Sequence, residues 1–161
     1  VTWLDTSGMD FKEEFVGETF GRINKEEAGL LLKELEAYIQ RIGGNRILEE
    51  RIDFGLISPY KAQVQYLRGK IKGSASLRPY RSLITVNTVD GFQGQERDVI
   101  FISLVRANEE GQIGFLNDLR RMNVAITRAR MKLVILGEAA TLSHHAFYKK
   151  LLEYVLSLIH I

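Results

Sequence analysis

Three short segments of this sequence stand out as candidates for chemistry, and they span residues 57–63, 88–96 and 120–130. The second segment contains Gly91 and Gly94, and glycines in such a loop let backbone amides approach an anion or a ribose closely. Gln93 and Glu96 in the same segment are able to hold a sugar hydroxyl. An ordinary turn between two strands, in which the glycines supply only a positive φ, explains this pattern equally well.

The third segment carries two arginines that are seven residues apart. At about 100° per residue, Arg121 and Arg128 share one face of a helix predicted over 118–129, away from the face that would pack on a sheet. Arginine stays ionised and binds phosphate bidentately, so this pair suits the stabilisation of a transferring phosphoryl group. A solvated basic face, which is the usual meaning of charges on a helix, is the alternative.

Three further residues near this helix have structural interpretations. Asn123 falls nearer the packed side, where we expect it to act as a structural hydrogen-bonding group. Arg130 and Lys132 lie near the predicted C-terminus of the helix and would complement its dipole, an effect worth roughly 0.3–1 kcal/mol each.

Hydrophobic periodicity predicts strands that alternate with helices along the chain. Strands are expected at 1–5, 52–57, 83–86, 99–105 and 133–136. Asn24 and Glu27 have capping-box spacing, so a helix is expected to begin there and to end at Gly43. Further helices are expected after Pro59, over 118–129 and over 147–158, whereas 6–22 and 73–82 are expected to be loops, the second of them mobile.

This alternation, with strands that are continuous apolar runs, predicts one α/β domain over residues 1–161 with a mostly parallel central sheet. In open sheets of this kind, ligands bind beyond the carboxyl ends of the strands. Two of the three polar segments are expected at that position.

Composition excludes several classes of site. The 161 residues include no cysteine, which excludes disulfides and thiolate zinc sites, and the three histidines lack carboxylates at metal-ligand spacing, so no metal site is predicted. The formal net charge of +2 is too small to indicate a nucleic-acid binder by itself. Without a transmembrane run or a signal peptide, we expect an intracellular protein with no membrane partner.

The sequence has no phosphate-binding P-loop of its own. The Gly69-Lys70 pair is followed by Ile71 in place of Ser or Thr, and Val64 stands where the first glycine of the loop would be. No apolar strand ends in the acidic pair that would hold Mg²⁺. Any ATP chemistry therefore needs another domain. The chain also begins without Met on a strand-like segment, so we expect it to be a piece of a longer protein.

Taken in this order, the three segments resemble the C-terminal motor domain of superfamily 1 helicases, in the branch of the RNA helicase of nonsense-mediated decay. The pattern P-Y-x-x-Q matches Pro59, Tyr60 and Gln63. The motif V pattern T-V-D-x-F-Q-G-x-E matches residues 88–96, and the motif VI pattern R-R-x-N-V-A-x-T-R-A-R matches residues 120–130. The resemblance covers roughly residues 24–155 and implies a three-layer RecA-like domain without its own P-loop.

The resemblance implies a nucleotide side of the domain. Arg128 is similar to the motif VI arginine finger, which reaches the γ-phosphate across the cleft between two RecA-like domains. Gly94 and Glu96 are similar to motif V residues on the nucleotide side, with Glu96 near the ribose. Arg106 and Arg121 are implied as support for the cleft or for the arginine finger.

The resemblance also implies a nucleic-acid side. Thr88 is similar to the residue of motif V that meets the nucleic-acid backbone, and its neighbours Asn87, Val89 and Gln93 are implied in the same surface. Ser58 and Pro59 are implied as further parts of that surface.

The expected function is that of half of a motor. ATP and Mg²⁺ would be held mainly by an N-terminal RecA-like domain of the same parent chain, and a single strand of DNA or RNA would be the track. The fragment alone is expected to be inactive. A family motif with a second arginine, of the Q-Y-R-M type, is absent, so the domain is expected to lack its first strand or helix, and residues 157–161 match nothing in the family and are expected to be a non-native or disordered tail. The alternative is a catalytically inactive RecA-like module that binds nucleic acid or protein.

Overall fold

The structure, a computed structural model, describes residues 2–16, 21–92, 95–108 and 119–159, with backbone alone at 16, 119, 121 and 154–159. Its strands are β1 (Thr2–Asp5), β2 (Glu14–Val16), β3 (Gly21–Ile23), β4 (Phe54–Ser58), β5 (Ile84–Thr88), β6 (Arg97–Ser103) and β7 (Ala129–Gly137). Its helices are α1 (Lys25–Ile42), α2 (Gly44–Glu50), α3 (Lys61–Lys72), α4 (Leu119–Ile126), α5 (Ala139–Leu142) and α6 (Ala146–Ile159). Of the helices in these ranges, none is both long enough and apolar enough to cross a bilayer.

A parallel sheet forms the centre of the described fold, with strand order β1-β7-β6-β4-β5. From β4 the chain moves outward to β5, whereas from β6 it moves in the opposite direction to β7. The strand order therefore reverses between β4 and β6, and this is the point at which open α/β sheets leave a crevice at their carboxyl edge. The short strands β2 and β3 pair antiparallel as a separate ribbon.

Both faces of the sheet are covered, which makes the fold a three-layer one. Along β6, Val99 and Phe101 point into the core cluster formed with α1 and α3. Ile100 and Ile102 point into the opposite cluster, which includes Met122 of α4 and residues of α6. Since side chains alternate along a strand, a continuous apolar run is required where both faces are buried. The predicted α/β fold with a mostly parallel sheet, consistent with a RecA-like domain, is confirmed.

The limits of α1 follow from its caps. The Asn24 side chain accepts a hydrogen bond from the Glu27 amide at 3.0 Å, which satisfies one of the free N–H groups of the first turn. Gly43 ends the helix with a φ of 102°, a conformation that glycine adopts without a Cβ penalty. The capping box is only half formed, because the Asn24 amide donates to Gln63 Oε1 rather than to the Glu27 carboxylate.

Two regions that we expected to be loops contain regular structure. Strand β2 lies within the region 6–22 and β3 begins in it, whereas residues 17–20 are outside the described part. The region 73–82 leads into a 3₁₀ helix at Arg78–Leu83 and contains Leu77, which is 1% exposed. Burial of this leucine anchors the polar stretch to the core, and the predicted mobility of 73–82 stays a prediction. The short helices α2 and α5 were not predicted.

The predicted helix over 118–129 is shorter than expected. It ends at Ile126, and β7 begins three residues later at Ala129. The reason is tertiary: Ala129 pairs with Arg97 in the parallel ladder, and the Arg97 amide donates to the Arg128 carbonyl at 3.0 Å. Strand pairing overrides the local helical pattern here.

Gly55 in β4 lies where the sheet packs too closely against the side chains of Ile100 and Phe92 to leave room for a Cβ. A Cβ at Gly55 would lie 2.6 Å from Ile100 Cδ1 and 2.9 Å from Phe92 Cε1. We expect Gly55→Ala to lower the free energy of unfolding by about 1–3 kcal/mol through overpacking, measured by urea denaturation. Gly69→Ala is the matched control, because nothing lies within 4 Å of a Cβ there, and it should stabilise α3 by up to about 1 kcal/mol. Equal effects of the two changes would contradict this packing.

Candidate nucleotide and nucleic-acid sites

The predicted site residues separate into two groups at opposite edges of the sheet. Ser58 and Thr88 are register partners at the carboxyl ends of β4 and β5. Glu96 and Arg128 directly precede β6 and β7, whose first residues pair with each other. At about 3.3 Å per residue, the seven residues of β6 place these groups about 20 Å apart. The expectation that polar segments lie beyond the carboxyl ends therefore holds for 57–63 and for the start of 88–96 only.

At the carboxyl edge, local hydrogen bonds shape the loop that follows β5. The Asn87 side chain accepts from the Thr88 amide at 2.8 Å, and Thr88 Oγ1 accepts from the Gly91 amide at 3.3 Å. Gly91 is required for this arrangement, because a Cβ there would overlap with the Asn87 side chain. Asn87 and Thr88 are half-buried, so each leaves part of its side chain accessible to a ligand.

The other residues predicted at this surface differ in accessibility. Pro59 is half-buried, whereas Ser58 and Val89 are 0% and 4% exposed. The Ser58 hydroxyl accepts from the Tyr60 amide at 3.3 Å, so its side chain is used within the fold. Gln93 lies outside the described residues.

At the amino edge, Arg128 is held in the turn between α4 and β7. Its Nε donates to the Val124 carbonyl at 3.1 Å, and its Nη2 donates to Thr127 Oγ1 at 3.2 Å. The side chain is half-buried, and Glu96 beside it is exposed. The prediction that Arg121 and Arg128 share a helix face is wrong, because α4 ends at Ile126. The Arg121 side chain and Gly94 lie outside the described residues.

An ion-pair cluster that the sequence did not reveal ties the amino ends of three strands together. Arg130 donates from Nε to Asp98 Oδ1 at 3.0 Å and from Nη2 to Asp53 Oδ1 at 3.2 Å. The two aspartates also accept each other's backbone amides, at 2.7 and 3.1 Å. Burial would raise the pKa of Asp98, but the bonds from the Asp53 amide and Arg130, with the charge of Arg130, hold that pKa below its usual value.

This cluster and two other contacts correct the structural interpretations of 123–132. Arg130 lies in β7 and pairs with the carboxylates of Asp53 and Asp98, so it does not complement a helix dipole. Lys132 donates to Thr2 Oγ1 at 2.6 Å and thereby joins β7 to β1. The Asn123 side chain is exposed, and the Asn123 carbonyl accepts from the amide and the hydroxyl of Thr127. The helix ends earlier than its sequence pattern indicates, which explains the first two differences.

A fully buried polar network lies at the carboxyl edge, where β6 ends. Gln63 accepts from the Asn24 amide and donates to the Asn24 carbonyl, both at 3.0 Å, and also donates to Ser103 Oγ at 3.1 Å. Ser103 in turn donates to the Glu27 carboxylate at 2.6 Å. These four residues are each 0% exposed, so the network joins α1, α3 and β6 where water cannot substitute for a lost partner.

The network holds a strained turn. Val105 has a φ of 71°, and the Arg106 amide donates to the Leu104 carbonyl at 2.7 Å, which closes a γ-turn. A β-branched residue in this conformation costs about 1–3 kcal/mol and needs surrounding structure to enforce it. Glu27 accepts from the Val105 amide at 2.8 Å, and Asn24 Nδ2 donates to the Val105 carbonyl at 3.1 Å.

The turn directs Arg106 into a charged cavity. Arg106 Nε lies 2.8 Å from Glu13 Oε2 at ion-pair distance, and Arg106 Nη1 donates to the Tyr60 hydroxyl at 3.3 Å. Glu13, Arg22, Asn108 and Glu138 line the same cavity, which measures about 730 Å³. The resemblance implied that Arg106 supports the arginine finger or the interdomain cleft. The structure places Arg106 at the carboxyl edge and Arg128 at the amino edge, so Arg106 does not contact Arg128. Glu13 and Glu27 gave no sequence signal beyond one capping position.

Comparison with known proteins decides the family. Residues 1–140 match the family described as AAA domain. The chain is 40% identical over 137 residues to "Probable helicase MAGATAMA 3" of Arabidopsis thaliana, covering 85% of this chain and 16% of that protein. It is 39% identical over 142 residues to "DNA polymerase alpha-associated DNA helicase A" of Saccharomyces cerevisiae, with coverage of 87% and 19%.

A third relative belongs to the branch that the motifs indicated. The chain is 39% identical over 145 residues to "Regulator of nonsense transcripts 1 homolog" of Arabidopsis thaliana, with coverage of 89% of this chain and 11% of that protein. This chain belongs to the superfamily 1 helicases. The helicase domain spans less than a fifth of the length of each of these three relatives.

Glu27 gives the helicase domain a pH-dependent stability. Burial raises the pKa of Glu27 from 4.5 to about 7, and the hydrogen bonds from Ser103 and Val105 only partly offset burial. The folded state therefore binds the proton more tightly than the unfolded chain. The resulting stability is fully present below about pH 4.5 and is lost as the pH rises through about 7.

We expect the stability of the chain to fall by about 3 kcal/mol between these limits, and Glu27→Gln to remove most of that dependence, because Gln cannot ionise but keeps an acceptor oxygen. Urea denaturation of the wild type and of Glu27→Gln at a series of pH values measures the free energy of unfolding that checks this. Glu26→Gln, which changes an exposed carboxyl on the same turn, is the control and should keep the wild-type pH profile. An unchanged profile in Glu27→Gln would show that Glu27 does not titrate in this range.

Proposed function

We propose that residues 1–161 form the second RecA-like domain of a nucleic-acid-stimulated ATPase that translocates on a single strand of DNA or RNA. The observation that carries the proposal is the position of Arg128, held in a turn at one edge of the sheet while the Thr88 surface lies at the other edge. Such a domain can face a nucleotide with one edge and a strand with the other.

The nucleotide side of the proposal rests on the chemistry of Arg128. Its bonds to Val124 and Thr127 use Nε and Nη2, and among the described residues Nη1 has no partner. The guanidinium is therefore oriented by the fold and still has N–H groups to donate to a phosphate, which fits ATP. Glu96 is exposed beside it and would meet the ribose, with Gly94 and Arg121 as further contacts.

ATP and its Mg²⁺ would be held mainly by an N-terminal RecA-like domain of the parent chain. Within the described ranges, no three His, Asp or Glu side chains come together as metal ligands. Bound ATP with Mg²⁺ supplies the phosphoryl group that is transferred and a divalent charge beside it. The contribution of this chain is to bring Arg128 to the phosphates only when the two domains close, so that closure and hydrolysis are linked.

The strand side of the proposal rests on Thr88, Asn87 and Pro59, which are accessible at the carboxyl edge. Ser58 and Val89 are buried and would shape this surface through the backbone. Gln93, which lies outside the described residues, is part of the proposed surface by its motif position alone. The single segment 88–96 begins at this surface and ends at Glu96, so one motif contributes residues to both sides of the proposal. Because its substrates are found inside cells, the proposed function implies an intracellular location.

Arg128 provides the decisive test. In the full-length parent protein, we expect Arg128→Ala to lower strand-stimulated ATP hydrolysis by about 10³–10⁵-fold, because the developing phosphoryl charge loses its stabilising guanidinium. Arg128→Lys should also be strongly impaired, since an ammonium lacks the planar fork. Strand binding should persist in both variants, as Arg128 is remote from Thr88.

Arg41→Ala is the matched control, because Arg41 is an exposed arginine near the end of α1 and should leave turnover unchanged. Full strand-stimulated turnover in Arg128→Ala would overturn the proposed role. A parent protein that binds strands but never hydrolyses ATP would instead favour an inactive interaction module.

A further inference from the structure

Positive charge is concentrated in one part of this chain. Residues 54–89 contain six Lys and Arg side chains and no Asp or Glu. Because the whole chain has a formal charge of +2, the remaining residues together carry −4. Segregation on this scale creates a local field that the small net charge conceals, and such fields attract polyanions.

Helix α3 arranges much of this charge in a line. The cations Lys61, Arg68 and Lys72 and the neutral Gln65 follow one another along α3, in the order 61, 65, 68 and 72, at helical spacings of four, three and four residues. All four side chains are exposed. The opposite face of α3 is buried through Gln63, Val64, Leu67 and Ile71. At 1.5 Å per residue, the line is about 17 Å long. These four residues, together with Arg81 from the adjacent 3₁₀ helix, are called the basic stripe below.

The stripe borders a groove between α3 and β5, the edge strand of the sheet. The groove measures about 380 Å³ and is lined by Arg68, Lys72, Arg81, Ile71 and residues 84–86. Arg68 donates from Nε and Nη2 to the Val86 carbonyl, at 3.0 and 2.6 Å. This contact fixes the guanidinium and occupies an edge carbonyl, which disfavours the addition of an extra strand to β5. The groove thus suits a ligand that binds cations.

The charges of the stripe are not neutralised within the fold. Among the described residues, Lys61, Lys72 and Arg81 have no ion-pair partner. Lys61 is two residues beyond Pro59, at the edge where Thr88 lies, whereas Lys72 is at the far end of α3. The stripe therefore continues from the proposed strand surface down the side of the sheet.

We propose that the basic stripe binds the phosphodiester backbone of the same single strand after it leaves the Thr88 surface. An extended polyanion matches a line of cations better than a compact acidic group does, and the stripe starts where the proposed track ends. The inference rests on the proposed function, since it extends the strand path of that function along α3. It adds contacts that are independent of base sequence.

The test removes the stripe charges that the fold does not use. Lys61→Gln, Lys72→Gln and Arg81→Gln are combined in the full-length parent protein, and Arg68 is kept because it binds Val86. The control combines Lys33→Gln, Lys149→Gln and Lys150→Gln, which removes the same charge from exposed positions on α1 and α6. Thermal unfolding of both variants should match that of the wild type. Binding to oligothymidine and oligouridine of about 20 nucleotides is measured over a range of salt concentrations.

We expect the stripe variant to bind at least about tenfold more weakly than the control, with a salt slope smaller by about 2, since each lost phosphate contact on a single strand removes about 0.7. Equal affinity and slope in the two variants, with a Thr88→Val variant that binds more weakly, would overturn the stripe and leave the proposed function standing. No strand binding by the wild type would overturn both. Competition by polyglutamate as strong as by an oligonucleotide of equal charge would overturn the stripe in favour of an acidic protein partner.

Discussion

Parallel pairing is the constraint on which the rest of this structure depends. Since every strand of the central sheet runs in the same direction, each connection has to carry the chain from the carboxyl edge back to the amino edge. The segment 88–96 makes that crossing between β5 and β6 in a few residues, anchored by the buried ring of Phe92. One short motif therefore has its two ends on opposite edges of the domain.

The two edges are stabilised by different physical means. At the amino edge, Arg130 holds Asp53 and Asp98 in a partly exposed cluster, where charge pairing is screened by water. At the carboxyl edge, Glu27 and Gln63 belong to a network without water access, in which each polar group depends on its partner. Loss of one partner costs more in the buried network than in the exposed cluster, because water cannot replace that partner. The buried network also maintains the strained turn at Val105 that orients Arg106.

Charges are compensated in the cavity at the carboxyl edge but, in the part of the chain that the structure describes, uncompensated along α3. Glu13 pairs with Arg106 in the cavity at the carboxyl edge, so the charges there largely compensate one another. Along α3, by contrast, Lys61 and Lys72 face solvent without a carboxylate among the described residues. A strand that follows these uncompensated charges would contact the domain on its outer flank as well as at its carboxyl edge, which would add contacts beyond those of motif V.

The sequence by itself determined the family, the α/β class and the limits of α1, because motif order, apolar runs and a capping Asn24 with a terminal Gly43 are local signals. Only the tertiary structure decided that Arg128 lies in a turn, because pairing of Ala129 with Arg97 competes with the helix pattern. The partners of Arg130 and Glu27 were likewise beyond sequence reasoning. Their contacts join residues 32 to 78 positions apart, and no local period encodes such distances.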